Sequence, residues 1–178
     1  MLQIILIAVA AIIVLLIIIV VMQPSDFQVS RSAKMAAPPE KIFPHVNDLR
    51  RWETWSPWAK MDPACKNSYE GALAGTGAIF AWAGNKKVGE GRMTITESRP
   101  SKLIRIKLEF LKPFKATNMA EFTFKSQGDQ TDVTWSMSGK NNFMGKAFGL
   151  FVNCDKMVGG DFEKGLATMK SVAETARS

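Results

Sequence analysis

From Ile4 to Met22 the chain carries no charged or polar side chain, and nothing else in the sequence constrains its folding as strongly. Nineteen residues at about 1.5 Å each reach about 28 Å, close to the roughly 30 Å hydrocarbon thickness of a bilayer. A helix apolar on every face finds no polar side to turn toward water, so a buried core helix is the weaker reading. A cleavable signal peptide requires a basic start, a shorter apolar stretch and small residues at the cleavage point. Met1-Leu2-Gln3 has no Lys or Arg, and Val20-Val21-Met22-Gln23 offers no A-x-A pattern. The expectation is therefore a retained transmembrane anchor over residues 1–22, a linker over 23–26 and one folded domain over 27–178, since about 150 residues is the usual size of a single core.

All 23 basic and 16 acidic residues lie beyond the apolar run, so the net charge of +7 belongs to the downstream domain. A basic domain tethered at an anionic leaflet is drawn toward its headgroups. Basic residues are scattered and no nucleic-acid-binding motif is present, so a nucleic-acid partner is not expected. Arg31, Lys34 and Lys41 follow the apolar run while no basic residue precedes it, which by the positive-inside rule favours a cytoplasmic domain on a single-pass membrane protein. Cys65 and Cys154 fit two unpaired thiols in a reducing compartment, although two residues are enough for one disulfide.

Past Pro24-Ser25, Phe27, Val29, Arg31, Ala33 and Met35 alternate with polar residues, the period of a half-buried strand. Pro38-Pro39-Glu40 starts a short helix in which Pro44 limits the length, and Asn47-Asp48 can cap a second one through Trp52. Closely spaced strands follow between Lys66 and Gly139, separated by turn residues at Gly84-Asn85, Arg99-Pro100-Ser101, Lys112-Pro113 and Gln127-Gly128-Asp129. In the third of these runs Gly91, Met93, Ile95 and Glu97 share one phase, although Glu97, near the strand end, fits a solvent-facing position as well. In the fifth, Asn118 is the polar member of a face otherwise made by Phe114, Ala116, Ala120, Phe122 and Phe124. From Phe143 to about Ala176 the period becomes helical, with an interruption expected at Gly159-Gly160 and a restart capped by Asp161.

Seven antiparallel strands with one apolar face must cover that face, and the C-terminal helical segment is the large element able to do so. A sheet curled around one helix leaves room for a central ligand cavity. The candidate ligand-binding residues are Phe80, Trp82, Met93, Ile95, Leu108, Phe110, Asn118, Phe122, Trp135 and Met137 from strands, with Phe148 and Phe151 from the helical segment. Plain core packing accounts equally well for each apolar member. Asn118 is more informative, because an amide among aromatic neighbours must find internal water, another side chain or a ligand oxygen.

Catalytic signals are sparse. The sole histidine, His45, has no nucleophile or metal-ligand pattern around it and reads as a surface residue. No G-x-G-x-x-G, P-loop, H-E-x-x-H or G-x-S-x-G is present, so neither a cofactor nor a metal is expected. Whether the protein is an enzyme stays open at this point, and its catalytic residues are unassigned.

Several stretches together resemble a known superfamily. Ala37-Pro38-Pro39-Glu40-Lys41-Ile42-Phe43-Pro44 leads to Trp52-Glu53-Thr54-Trp55-Ser56-Pro57-Trp58. Gly75-Thr76-Gly77-Ala78-Ile79-Phe80-Ala81-Trp82, Gly91 to Ser98, Thr131 to Trp135, and Phe143-Met144-Gly145-Lys146 before Gly160-Asp161-Phe162-Glu163 follow in order. The chain over about 27 to 176 resembles the START-like helix-grip superfamily (SRPBCC, polyketide cyclase/dehydrase-like), in particular bacterial members with an N-terminal membrane helix. The resemblance implies an α+β fold, a seven-stranded curved antiparallel sheet wrapped around a C-terminal helix, located at a bacterial inner membrane. It further implies binding of a lipid, polyketide or other hydrophobic molecule. It carries over no catalytic residue, because fold alone does not assign chemistry.

Three functions are therefore open. The first is a membrane-anchored binder of a hydrophobic or amphiphilic small molecule. The second is a cyclase or dehydratase, which needs an acid/base pair and has only Glu97 and Asn118 as polar candidates in the interior. The third is an interaction protein that uses an exposed aromatic patch over Trp52 to Trp58 toward a protein partner of unknown kind or the membrane interface.

Overall fold

A computed structural model describes residues 1–175. The expected end of the helical period at Ala176 and of the domain at Ser178 lie outside the described residues.

Helix α1 (Leu2–Met22) is exposed along its length except near its last turn, where Val20 is buried and α3 packs against it. Among the described residues it is the helix long and apolar enough to cross a membrane, a test that a signal sequence also passes. Its exposure excludes the buried core helix considered above.

Strand β1 (Asp26–Met35) alternates as its sequence requires, with Val29 and Met35 buried and their neighbours exposed. Helix α2 (Pro39–Asn47) opens on Pro39 in its first turn and buries Ile42, Phe43 and Val46 on one stripe. It is only nine residues long and contains Pro44. A 3₁₀ turn (Leu49–Thr54) follows, capped by Asp48, whose Oδ1 accepts a hydrogen bond from the Arg50 N–H at 3.0 Å.

Then come β2 (Lys66–Gly71), β3 (Ala78–Ala83), β4 (Glu90–Arg99), β5 (Leu103–Lys112), β6 (Ala116–Gln127) and β7 (Gln130–Lys140), followed by α3 (Phe143–Gly149) and α4 (Cys154–Thr175). The strands form one antiparallel sheet in the order β1-β7-β6-β5-β4-β3-β2, open between its edges β1 and β2. Consecutive strands β2 to β7 are neighbours, and β1 lies beside β7. The chain thus leaves α1 at the same end of the sheet where β7 finishes, with Asp26 opposite Lys140.

Two local expectations change. The helical segment does not break at Gly159-Gly160; it breaks between α3 and α4, and α4 runs through both glycines. Asn153 begins the new helix, its Oδ1 accepting from the Lys156 N–H at 2.9 Å. Gly159 is where the Arg31 guanidinium lies against α4, so close that a Cβ there would meet Nη2 at 2.1 Å. Arg31 also bonds Asp155 at 3.0 Å and Glu163 at 2.7 Å. These two carboxylates hold its guanidinium above the ordinary arginine value, and Arg31 in turn holds the Asp155 carboxyl below its own.

The second change is a β-bulge in β4. Register slips between Ile95, which faces Ile106, and Glu97, which faces Arg105. A bulge inverts the phase beyond it. Glu97 therefore leaves the face of Met93 and Ile95 and joins an outer ion network, its Oε2 2.8 Å from Arg105 and its Oε1 2.6 Å from Arg99. Ser98 takes the inner phase and pairs with Asn47 Oδ1 at 2.7 Å.

Candidate functional site

Register sorts the concave face of the sheet into rows. At the end far from α1, Phe122 and Trp135 stack at 4.8 Å, and Trp135 stacks on Phe162 of α4 at 4.0 Å with planes 10° apart. Trp52 and Trp55 close over this stack at 5.5 to 6.1 Å, edge to face. Each such pair contributes on the order of 0.5–1.5 kcal/mol beyond area burial. Trp52 is held further by its indole N–H donating to the Val46 carbonyl at 3.0 Å, and Trp55 donates to the His45 carbonyl at 2.9 Å. These two tryptophans are core, 6% and 2% exposed. An exposed aromatic patch over Trp52 to Trp58 is thereby excluded, with only Trp58 half-buried.

His45 is not a surface residue either. It is half-buried, its Nδ1 has no hydrogen-bond partner, and burial, followed by the Arg51 charge, holds its imidazole below the ordinary histidine value. Cys65 is a free thiol whose pKa burial pushes up; the side chain of Cys154 lies outside the described residues.

Toward α1 the packing loosens. One continuous cross-strand row runs Phe27, Gly139, Asn118, Leu108, Met93, Phe80, Tyr69. Asn118 and Met93 are each 8% exposed, whereas Phe27, Leu108, Phe80 and Tyr69 are only half-buried. The next row outward brings Phe110, Gly91 and Trp82 side by side. Gly91 is needed there, because a Cβ would meet the Trp82 ring at 2.3 Å and the Glu109 carbonyl oxygen at 2.7 Å. The Trp82 indole N–H donates to the Val88 carbonyl at 3.1 Å, and its ring meets Phe110 edge-on at 6.1 Å.

The cause of this gradient is unequal cover. Helix α4 rests chiefly on β1, α2 on β6, and the 3₁₀ turn on β3. At the α1-proximal end of the concave face Phe80, Trp82, Leu108 and Phe110 of β3 and β5 are consequently only half-buried, and this apolar strip is the candidate groove. Asn118, on the neighbouring β6, borders it beside Leu108. Its Nδ2 reaches only the Met137 thioether, at 3.8 Å, a weak acceptor. Among the described residues its side chain makes no other hydrogen bond, and it is held in place between Gly139 and Leu108.

Of the residues named from sequence, Met93, Leu108, Asn118 and Met137 meet in this groove, with Phe80, Trp82 and Phe110 at its mouth. Ile95, Phe122 and Trp135 lie deeper, 0 to 2% exposed and committed to the core. Phe148 and Phe151 are not brought to the groove wall; they stand 53% and 87% exposed around α3. Phe27, Gly139 and Tyr69 were not among the named candidates. Phe27 carried the right strand phase, but only the pairing of β1 with β7 sets it beside Asn118. Tyr69 stays a neutral phenol, its pKa raised by burial first and Glu53 second, with the Arg50 guanidinium 4.9 Å over its ring.

A shallow depression of about 240 Å³ also exists on the opposite, convex face, around Gln28, Arg105, Glu121, Ser136 and Ser138. It is polar, and Arg105 within it is already bonded to Glu121 at 2.7 Å and to Glu97. Its charges satisfy one another, so we give it no ligand role.

The family model described as polyketide cyclase/dehydrase and lipid transport matches residues 26–174. No curated protein matches the chain. Solved structures share the fold at low identity. A protein from Chromobacterium violaceum is 13% identical with a TM-score of 0.59, the match covering 85% of this chain and 99% of that one. A protein from Mycobacterium smegmatis is 16% identical, TM-score 0.58, over 84% and 92%. DynU16, from the dynemicin biosynthetic locus, is 16% identical, TM-score 0.58, and is matched over 84% of this chain but 48% of its own length. At these identities the structural likenesses speak for the fold, a helix-grip domain, and not for an activity.

Proposed function

The chain belongs to the polyketide cyclase/dehydrase and lipid transport family, and from that premise we propose that it is a membrane-anchored binding protein for a hydrophobic or amphiphilic small molecule. The site is the groove around Leu108, Met93 and Phe80, open toward α1, and α1 spans the bilayer with the domain on the cytoplasmic side. The family and fold point to hydrophobic ligands in general. A lipid or polyketide-like chain lying along the apolar row is the finer reading.

Asn118 is the observation that carries it. Its amide bonds only a thioether, and its free atoms, unlike Trp135 Nε1 and His45 Nδ1, are not sealed from solvent, so a polar group entering from outside can reach them. One polar group of a mostly apolar ligand bonds there and fixes the ligand's position along the groove. The balance also favours binding over acid/base turnover. The bulge turns Glu97 outward, and the row from Phe27 to Tyr69 contains no carboxylate.

The test compares the full-length chain with Leu108→Trp, which fills the groove without introducing charge. Both are purified in the same amphipol, extracted with organic solvent and analysed by mass spectrometry. Lipids carried by α1 appear in both samples. The reading expects a discrete compound, approaching one per chain, that is present with the wild type and lost with the variant. Identical extracts from two equally folded proteins contradict it.

A further inference from the structure

The end of the sheet beside α1 bears apolar side chains that nothing among the described residues covers. Leu111 and Phe114, on the β5–β6 hairpin, are 51% and 69% exposed; Met144, Phe148 and Phe151, on and just after α3, are 62%, 53% and 87% exposed. Both groups lie at the same end. Asp26, which follows α1, pairs with Lys140; Gly139 pairs with Asn118; and two residues before Asn118, Ala116 pairs with Phe110 at the base of the hairpin. Patches of this kind mark interaction surfaces, whereas single exposed apolar residues do not.

The depth of α3 is set by α1. Helix α3 packs against α1. Lys146 of α3 donates from Nζ to the Val21 carbonyl at 3.1 Å, and Val20 is the one buried residue of α1. Val20 and Val21 are among the last apolar residues of that helix. A short helix bonded there cannot stand off in the water if α1 is in the membrane; it is held at the headgroup boundary. The charge agrees. Lys86, Lys87, Lys115, Lys140 and Lys146 lie at this end, on the β3–β4 turn, the hairpin and the start of the helical segment, against Asp26, Asp62 and Glu90. Of these carboxylates, Glu90 is engaged by Lys112 at 2.8 Å, and Asp62 accepts from the Asn85 N–H.

We propose that the β5–β6 hairpin and the α3 segment form a second membrane contact, seated in the anionic leaflet that α1 crosses, so that the open end of the groove faces acyl chains directly. The inference rests on the reading of α1 as a span. It assigns Phe148 and Phe151 a role at the bilayer and makes the adjacent leaflet the source of the ligand. Amphipathic segments of this type settle about 5–10 Å into the headgroup and acyl boundary. Phenylalanine and methionine supply the buried area while lysines meet the phosphates.

Single cysteines placed at Phe114, Phe151, Leu15 and Leu73, in a Cys65→Ser, Cys154→Ser full-length chain, test this. Each is labelled with an environment-sensitive fluorophore and reconstituted into phosphatidylcholine vesicles with about one quarter phosphatidylglycerol, enough to give an anionic surface. Leu73 is 79% exposed in the β2–β3 connection, at the opposite end of the sheet, and serves as the solvent reference. Shallow nitroxide lipids should remove on the order of half the emission at 114 and 151, as the 5–10 Å depth requires, and little at 73. Quenching at Leu15 with none at 114 and 151 overturns the second contact while the span stands. Loss of quenching at Leu15 as well overturns both. Hydrogen exchange of the unmodified chain gives a measurement free of substitution. Slower exchange over 111–115 and 143–151 in vesicles than in detergent-free amphipol supports the contact, and equal rates oppose it.

Discussion

Asn118 Nδ2 lies 3.8 Å from the Met137 sulfur, the single hydrogen bond this nearly buried amide makes among the described residues. A thioether accepts weakly, and the rest of this side-chain amide, which is not sealed from solvent, is left to water or to a ligand at the edge of the groove. Asn118→Leu, nearly the same in volume, removes that group. It should raise the stability of the ligand-free protein by about 1 kcal/mol, read as a shift of the urea midpoint. The same variant should retain less of the extracted compound. A stable variant with unchanged ligand content contradicts the role given to the amide.

Gly91→Ala tests the wall of the groove. Its Cβ would fall 2.3 Å from the Trp82 ring and 2.7 Å from a backbone oxygen, and neither retreats without breaking the Trp82 bond to Val88 or the β4–β5 pairing. Overpacking of this kind costs about 1–3 kcal/mol. Denaturant unfolding measures the loss, and a variant as stable as the wild type removes the packing argument.

Glu97→Gln separates binding from catalysis. Glu97 pairs with Arg99 and Arg105 on the outer face, both partners well exposed. Losing such pairs should cost less than about 1 kcal/mol. Ligand content should be unchanged. A selective loss of ligand or turnover in this variant would return Glu97 to the interior chemistry that the bulge denies it.

His45 gives the expected pH response. Burial, then Arg51, depress its pKa below the usual 6.5, so the unfolded chain takes up a proton more readily than the folded one. Its contribution to stability is complete above pH 6.5 and is lost as the pH falls toward the lower folded value. The melting temperature should decline between pH 7.5 and 5, and His45→Leu should flatten that decline. Parallel profiles for the two proteins contradict the assignment.

The sequence by itself determined the elements. Alternation at Phe27 to Met35 and at Leu103 to Lys112, turn residues between runs, and a charge-free stretch each act within a few residues of chain, where the periods of 2 and 3.6 are written. The seven strands, their boundaries to within a few residues, α1, and the amphipathic C-terminal segment were legible for that reason. Tertiary structure alone decided which side chains meet. The bulge at Ile95–Glu97 depends on pairing with β5, so the simple alternation misplaces Glu97. Gly159 reads as a helix breaker until Arg31 is seen lying against it. Phe148 and Phe151 have helical spacing suited to a core, yet the break at Leu150–Asn153 leaves them outside. Asn118 stood out in the sequence as a polar residue on an apolar face; its neighbours Phe27, Gly139 and Tyr69 did not. Register between distant strands sets that row, and the uneven cover given by α2 and α4 leaves it open.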